Sequence, residues 1–195
     1  MSRQATIERA TSETEIDVNL TIDGVGDSKV STGVGFFDHM LTLFAKHGLF
    51  DLKINAKGDL EVDGHHTVED VGICLGQAFD KALGNREGIV RYGFVIVPMD
   101  EALATVSIDI SGRPFLAYNL DLSASQVGGF DTDLPHEFFQ AFVNNAGITL
   151  HVRMQAGTNP HHIIEAVFKG FGKAMDQATR VDPRITGVHS TKGVI

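Results

Sequence analysis

Two strings in the chain, His65-His66-Thr67-Val68-Glu69 and His161-His162-Ile163-Ile164-Glu165, repeat one pattern of two imidazoles and a carboxylate. That donor set suits a divalent transition metal such as manganese, iron, cobalt, nickel or zinc. A lone histidine precedes each string. His39, in Phe36-Phe37-Asp38-His39-Met40-Leu41, lies 26 residues before its pair, and His136, in Pro135-His136-Glu137-Phe138-Phe139, lies 25 before its own. Random placement of these residue types would yield one such string only ~0.02 times, so two in register point to duplication. Gly76, Ala78, Asp80 and Ala82 also match Gly172, Ala174, Asp176 and Ala178 at the offset of 96 that relates the histidine pairs.

Asp63 and Asn159 are good helix N-caps, and Pro160 suits a first helical turn, so each pair belongs at a helix start. On a helix His65 and Glu69 share a face, while His66 projects about 100° away from His65. One ion therefore does not take both histidines of a pair. The spacing predicts two ions, each drawing ligands from both repeat copies, with His39 and His136 completing the shells. The eight candidates are His39, His65, His66, Glu69, His136, His161, His162 and Glu165. Four ligands per ion leave two positions of a six-coordinate metal open, which implies catalysis and not storage. A helix N-terminus disfavours a cation, and Glu69 and Glu165 must offset that. His47, His151 and His189 stand outside the repeat and read as ordinary hydrogen-bonded residues.

The elements that must position these groups are doubled as well. Alternation at Ile16, Val18, Leu20 and Ile22 predicts a strand, Phe37 to Phe44 a helix, Phe50 to Ile54 a strand, and Val68 to Ala82 a longer helix. The second half follows with a strand at Val106 to Ile110, a helix around Phe138 and Phe142, a strand from Ile148 to Met154 and a helix from Ile164 to Ala178. The expected fold is α+β: an internally duplicated unit of strands, helix, strand, helix, with two mixed sheets packed around a central layer of helices. Residues 1–90 and 91–195 form the two halves of one compact domain, joined at Gly84 to Arg91. Neither half alone buries a generous core.

Composition bounds the partners. The 195 residues are 43% hydrophobic, enough for a proper interior. The first residues lack the apolar core of a signal peptide, and no apolar run approaches a membrane span, so a soluble chain is expected. One cysteine, Cys74, excludes an internal disulfide framework and fits the cytoplasm. A formal charge of −9 argues against a nucleic-acid surface, although a few cations could still grip a small anion.

At these residues the chain resembles the imidazoleglycerol-phosphate dehydratase family along nearly its whole length. The matching blocks include Glu8-Arg9-Ala10-Thr11-Ser12-Glu13-Thr14, Asp63 to Asp70, Asp100-Glu101-Ala102-Leu103, Asp109 to Pro114, Pro160 to Glu165 and Ser190-Thr191-Lys192-Gly193. The expected member is the family's single-function form and not the version fused to a phosphatase. The resemblance implies dehydration of imidazoleglycerol phosphate to imidazoleacetol phosphate in histidine biosynthesis, with two manganese ions per site. The hydrogen to be removed has an imidazole and not a carbonyl to activate it. In the family's mechanism the ring binds as imidazolate and a diazafulvene-like intermediate forms as hydroxide leaves, the metals acting as Lewis acids and template.

Glu13 matches the family's base and, with the metal-holding Glu69 and Glu165, makes up the catalytic carboxylates. Arg91, Arg113, Ser190 and Lys192 match the phosphate-binding residues, and guanidinium forks suit phosphate oxygens. Lys169, four residues beyond Glu165, is either a substrate contact or an ion-pair partner. Asp38, Asp70, Asp100 and Glu101 either support the site or serve as caps and salt bridges. The resemblance also implies a shell of twenty-four subunits with sites at subunit contacts. Three other readings compete: a dinuclear metallophosphatase, a metal-storage or sensing protein with no use for the basic residues, and a di-iron helical bundle, which the strand patterns oppose.

Overall fold

The computed structural model describes residues 3–195. The first half runs β1 (Gln4–Ala10), β2 (Thr14–Thr21), β3 (Ser28–Ser31), α1 (Gly35–Gly48), β4 (Asp51–Gly58) and α2 (His65–Leu83). The second runs β5 (Tyr92–Met99), β6 (Ala102–Asp109), β7 (Phe115–Asn119), the short β8 (Gln126–Val127) and β9 (Phe130–Asp131), α3 (Leu134–Ala146), β10 (Thr149–Ala156) and α4 (Pro160–Thr179). Every strand and helix expected from periodicity is present, with ends displaced by a few residues at most.

The two four-stranded sheets have the same plan. Their orders are β1-β2-β4-β3 and β5-β6-β10-β7. Each is antiparallel except for its last pair, β3 with β4 and β7 with β10, which is parallel. α2 packs on β1 and β2 and against α3, whereas α4 packs on β5 and β6 and against α1. The helices thus form the middle layer, as the duplicated α+β architecture requires.

One phenylalanine from each helix closes a ring at the centre. Phe44, Phe79, Phe142 and Phe171 are all fully buried, and successive centroids lie 6.0, 5.6, 5.0 and 4.9 Å apart. Glycines set how closely the helices approach. A Cβ on Gly72 or Gly76 of α2 would lie 2.7 or 2.6 Å from the carbonyl oxygens of Phe138 and Phe142 in α3. Gly172 of α4 meets the Phe44 carbonyl of α1 in the same way.

The edge strands β1, β3, β5 and β7 were not legible from alternation. β1 buries only Ala5, β3 has four residues, and β5 is apolar on both faces, with Phe94 and Ile96 exposed. The caps also differ in one respect. Gly64, not Asp63, occupies the N-cap position of α2. Asp63 Oδ1 nevertheless accepts the His65 N–H at 2.7 Å, as Asn159 Oδ1 accepts the His161 N–H at 3.0 Å. The join from Gly84 to Arg91 pairs with the C-terminal segment through Glu87 with Val188 and Ile89 with Val181. No helix among the described residues is long and apolar enough to cross a membrane.

Candidate metal and active site

Because α1 packs along α4, His39 of the first half meets His161 and Glu165 of the second. His39 Nε2 lies 3.7 Å and His161 Nε2 3.3 Å from Oε2 of Glu165. The three donor atoms fall within 4.8 Å of one another. Two ligands each about 2.1 Å from one ion are roughly 3–3.4 Å apart at octahedral or tetrahedral angles, so the trio fits an ion with little adjustment. Glu165 is only 8% exposed. Burial works against its ionised form, but the Lys169 ammonium and the two imidazoles outweigh it and hold the pKa below the ordinary value. Lys169 Nζ is 2.5 Å from Oε1 of Glu165 and 3.4 Å from Met99 Sδ, so here it is an ion-pair partner.

His65, Glu69 and His136 hold the corresponding places in the duplicated plan but are not drawn into such a trio. Among the described residues no second group of three donors is that close. His136 Nδ1 lies 3.1 Å from Glu137 Oε1, and its ring sits edge-on to Tyr118 at 5.2 Å. The Tyr118 hydroxyl is buried with no hydrogen-bond partner, and burial raises its pKa.

The second histidine of each pair turns away from the first. The two rings are nearly perpendicular, at 87° for His65 and His66 and 80° for His161 and His162. His66 Nδ1 lies 3.0 Å from Asp59 Oδ2 and 3.9 Å from Glu13 Oε2. His162 Nδ1 lies 2.7 Å from Glu101 Oε2. Hydrogen bonds to Asp59 and Glu101 raise both imidazoles above their ordinary pKa, and the bond from His162 lowers Glu101 to about 2.

The basic candidates gather elsewhere. Arg91 has a left-handed backbone, φ 76°, and its N–H donates to the Ala178 carbonyl near the C-terminus of α4. Asp109 Oδ1 accepts Arg91 Nε at 2.7 Å, while Oδ2 accepts Arg91 Nη2 at 3.1 Å and lies 3.8 Å from Arg113 Nη2. Arg91 Nη1 also donates to the His189 carbonyl at 2.9 Å, which brings the segment holding Ser190 and Lys192 to this corner. Three guanidinium N–H groups of Arg91 are therefore engaged, whereas Arg113 has a side chain 64% exposed. A groove of about 720 Å³ over β1, β2 and β4 contains none of these residues.

Two carboxylates took no site role from the sequence. Asp59 lies seven residues before His66, and Asp109 ends β6 just before Arg113; such spacing becomes informative only once the loops are placed. Of the acidic residues left open, Asp38 accepts from the N–H and hydroxyl of Thr32, and Asp70 pairs with Arg9. Both are structural contacts. Burial pushes the Cys74 thiol up to about 11, which makes it a poor nucleophile or ligand.

Fold and site together define a duplicated α+β protein with histidine–carboxylate clusters at helix N-termini. Residues 32–175 match the family model described as imidazoleglycerol-phosphate dehydratase. Relatives named imidazoleglycerol-phosphate dehydratase in Pelobacter propionicus and Trichlorobacter lovleyi are each 60% identical over the whole of both chains. The crystal structure of imidazoleglycerol-phosphate dehydratase from Staphylococcus aureus superposes with a TM-score of 0.84 at 42% identity, covering 92% of this chain and 99% of that one. One from Pyrococcus furiosus, solved in complex with (S)-C348, also has a TM-score of 0.84, at 38% identity, covering 97% of this chain and 100% of that one. The chain belongs to the imidazoleglycerol-phosphate dehydratase family. That membership makes it a hydro-lyase of histidine biosynthesis.

Proposed function

We propose that this chain dehydrates D-erythro-imidazoleglycerol phosphate to imidazoleacetol phosphate in the cytoplasm, on a dinuclear metal centre completed between subunits. The observation that carries the reading is the meeting of His39 with His161 and Glu165, ligands from both halves on one point. We read residues 1–90 and 91–195 as duplicated halves of a single domain. One ion belongs on that trio and the second on His65, Glu69 and His136, with His66 and His162 offering Nε2 to the ions of neighbouring subunits. Two bound manganese ions would supply Lewis acidity and hold the substrate ring as imidazolate.

The remaining steps fall to side chains. Glu13, its side chain 54% exposed and clear of any direct bond to His66, moves the proton. Hydroxide departs from the carbon beside the ring, the next carbon loses its proton, and the enol tautomerises to the ketone. Arg113, Lys192 and Ser190, with the free edge of Arg91, grip the phosphate. Lys169 orients Glu165.

Distance supports assembly. Glu165 and Ala178 are thirteen residues apart on α4, about 20 Å at a rise of about 1.5 Å per residue. The substrate, a ring on a phosphorylated three-carbon chain, spans less than about 10 Å at ordinary bond lengths. One chain's metal trio and basic corner therefore serve different substrate molecules, and a neighbour supplies what is missing. The exposed Tyr92, Phe94 and Ile96 on β5 give such a neighbour an apolar face. A homo-oligomer, of twenty-four subunits by family resemblance, meets this need.

The test is turnover by chelator-stripped protein with and without manganese, following ketone absorbance and free phosphate in parallel. Manganese-dependent ketone without phosphate release is expected. Phosphate release would move the assignment to a hydrolase.

A further inference from the structure

The two outward histidines are held alike by residues that are not equivalent in the duplication. Asp59 follows β4 and takes His66 Nδ1 through both oxygens, at 3.2 and 3.0 Å. Glu101 lies in the turn between β5 and β6 and takes His162 Nδ1 at 2.7 Å. Its counterpart by topology is Glu13, in the turn between β1 and β2, which stays 3.9 Å from His66. The corresponding segment after β10, Gly157-Thr158-Asn159, has no carboxylate. Instead Glu101 Oε1 accepts the N–H groups of Asn159 at 2.9 Å and Thr158 at 3.3 Å.

We infer that Asp59 and Glu101 are positioning residues that fix His66 and His162 as Nδ1–H donors with Nε2 turned outward as metal ligands, and that Asp59 thereby frees Glu13 for proton transfer. The same contact reached from two unrelated positions is not a relic of duplication. A carboxylate on the far nitrogen sets the tautomer, orients the ring and strengthens the ligand, and its loss typically weakens metal binding roughly 10- to 100-fold. The inference rests on the metal-centre reading above.

Asp59 offers the cleaner test, because Glu101 also anchors the start of α4. Manganese affinity of the assembled protein is measured by chelator competition for wild type, Asp59→Ala, Asp59→Asn and His66→Ala, alongside the melting temperature of each metal-free protein. Asp59→Ala is expected to weaken one class of manganese site roughly 10- to 100-fold, with the metal-free melting temperature unchanged when the two proteins are compared at a pH where His66 is neutral in both. Asp59→Asn, which keeps a carbonyl acceptor for Nδ1–H, should recover most of that loss. If His66→Ala weakens binding and Asp59→Ala does not, the positioning role is wrong and the metal centre stands. If neither changes manganese affinity, both fall.

Discussion

The Lys169 ammonium sits 2.5 Å from Oε1 of Glu165, one turn along α4, and leaves Oε2 to face His39 and His161. One oxygen is thus neutralised within the helix and the other is offered to an ion. Lys169→Met should lower manganese affinity roughly tenfold, the lower end for loss of a partner to a ligand. Titration followed by electron paramagnetic resonance would register this, and an unchanged affinity would reduce the ion pair to a helix contact.

Asp109 holds Arg91 through two hydrogen bonds and lies within 4 Å of Arg113. Asp109→Ala should release both guanidinium groups and raise KM more than it lowers kcat. Each lost charged hydrogen bond is worth about 1.5–3 kcal/mol, or roughly 10- to 150-fold in kcat/KM. Steady-state kinetics would check the split; a fall in kcat alone would place Asp109 outside phosphate binding.

In the metal-free protein Asp59 raises the pKa of His66 above its ordinary 6.5. A raised folded value adds stability that is fully present below the unfolded pKa and lost as pH rises through the folded one. Metal needs the neutral ring, so manganese affinity should begin to fall at a higher pH on acidification than for an unperturbed imidazole. Nuclear magnetic resonance titration of His66 should give a midpoint above 6.5 that drops in Asp59→Ala.

Gly76→Ala places a methyl 2.6 Å from the Phe142 carbonyl, where α2 and α3 touch. Overpacking of that kind costs about 1–3 kcal/mol. Thermal melting of the metal-free protein should show a drop of several degrees, while a melting point equal to wild type would mean that the helices separate freely.

Much of this was legible because it depends on local order. Ile16, Val18 and Leu20 alternate in any strand, and Val68, Val71, Leu75 and Phe79 line one face of any helix, so the central strands and all four helices follow from period alone. Edge strands such as β1 and β5 do alternate in burial, but their residue types do not follow it: β1 turns Ala5, Ile7 and Arg9 inward and β5 exposes Phe94 and Ile96, so periodicity passes over them. Ligand types were readable for a similar reason: a helix separates His65 from His66 wherever it is placed.

What the sequence alone determined was the duplication, the layered α+β plan and the donor chemistry, since repeats, periods and residue types are properties of neighbours along the chain. Only the tertiary structure decided that His39 joins His161 and Glu165, that Asp59 and not Glu13 takes His66, and that the basic corner lies at the far end of α4. Those are distances between residues far apart in sequence or in different loops, and they are set by how closely glycine-lined helices pack and where each turn ends.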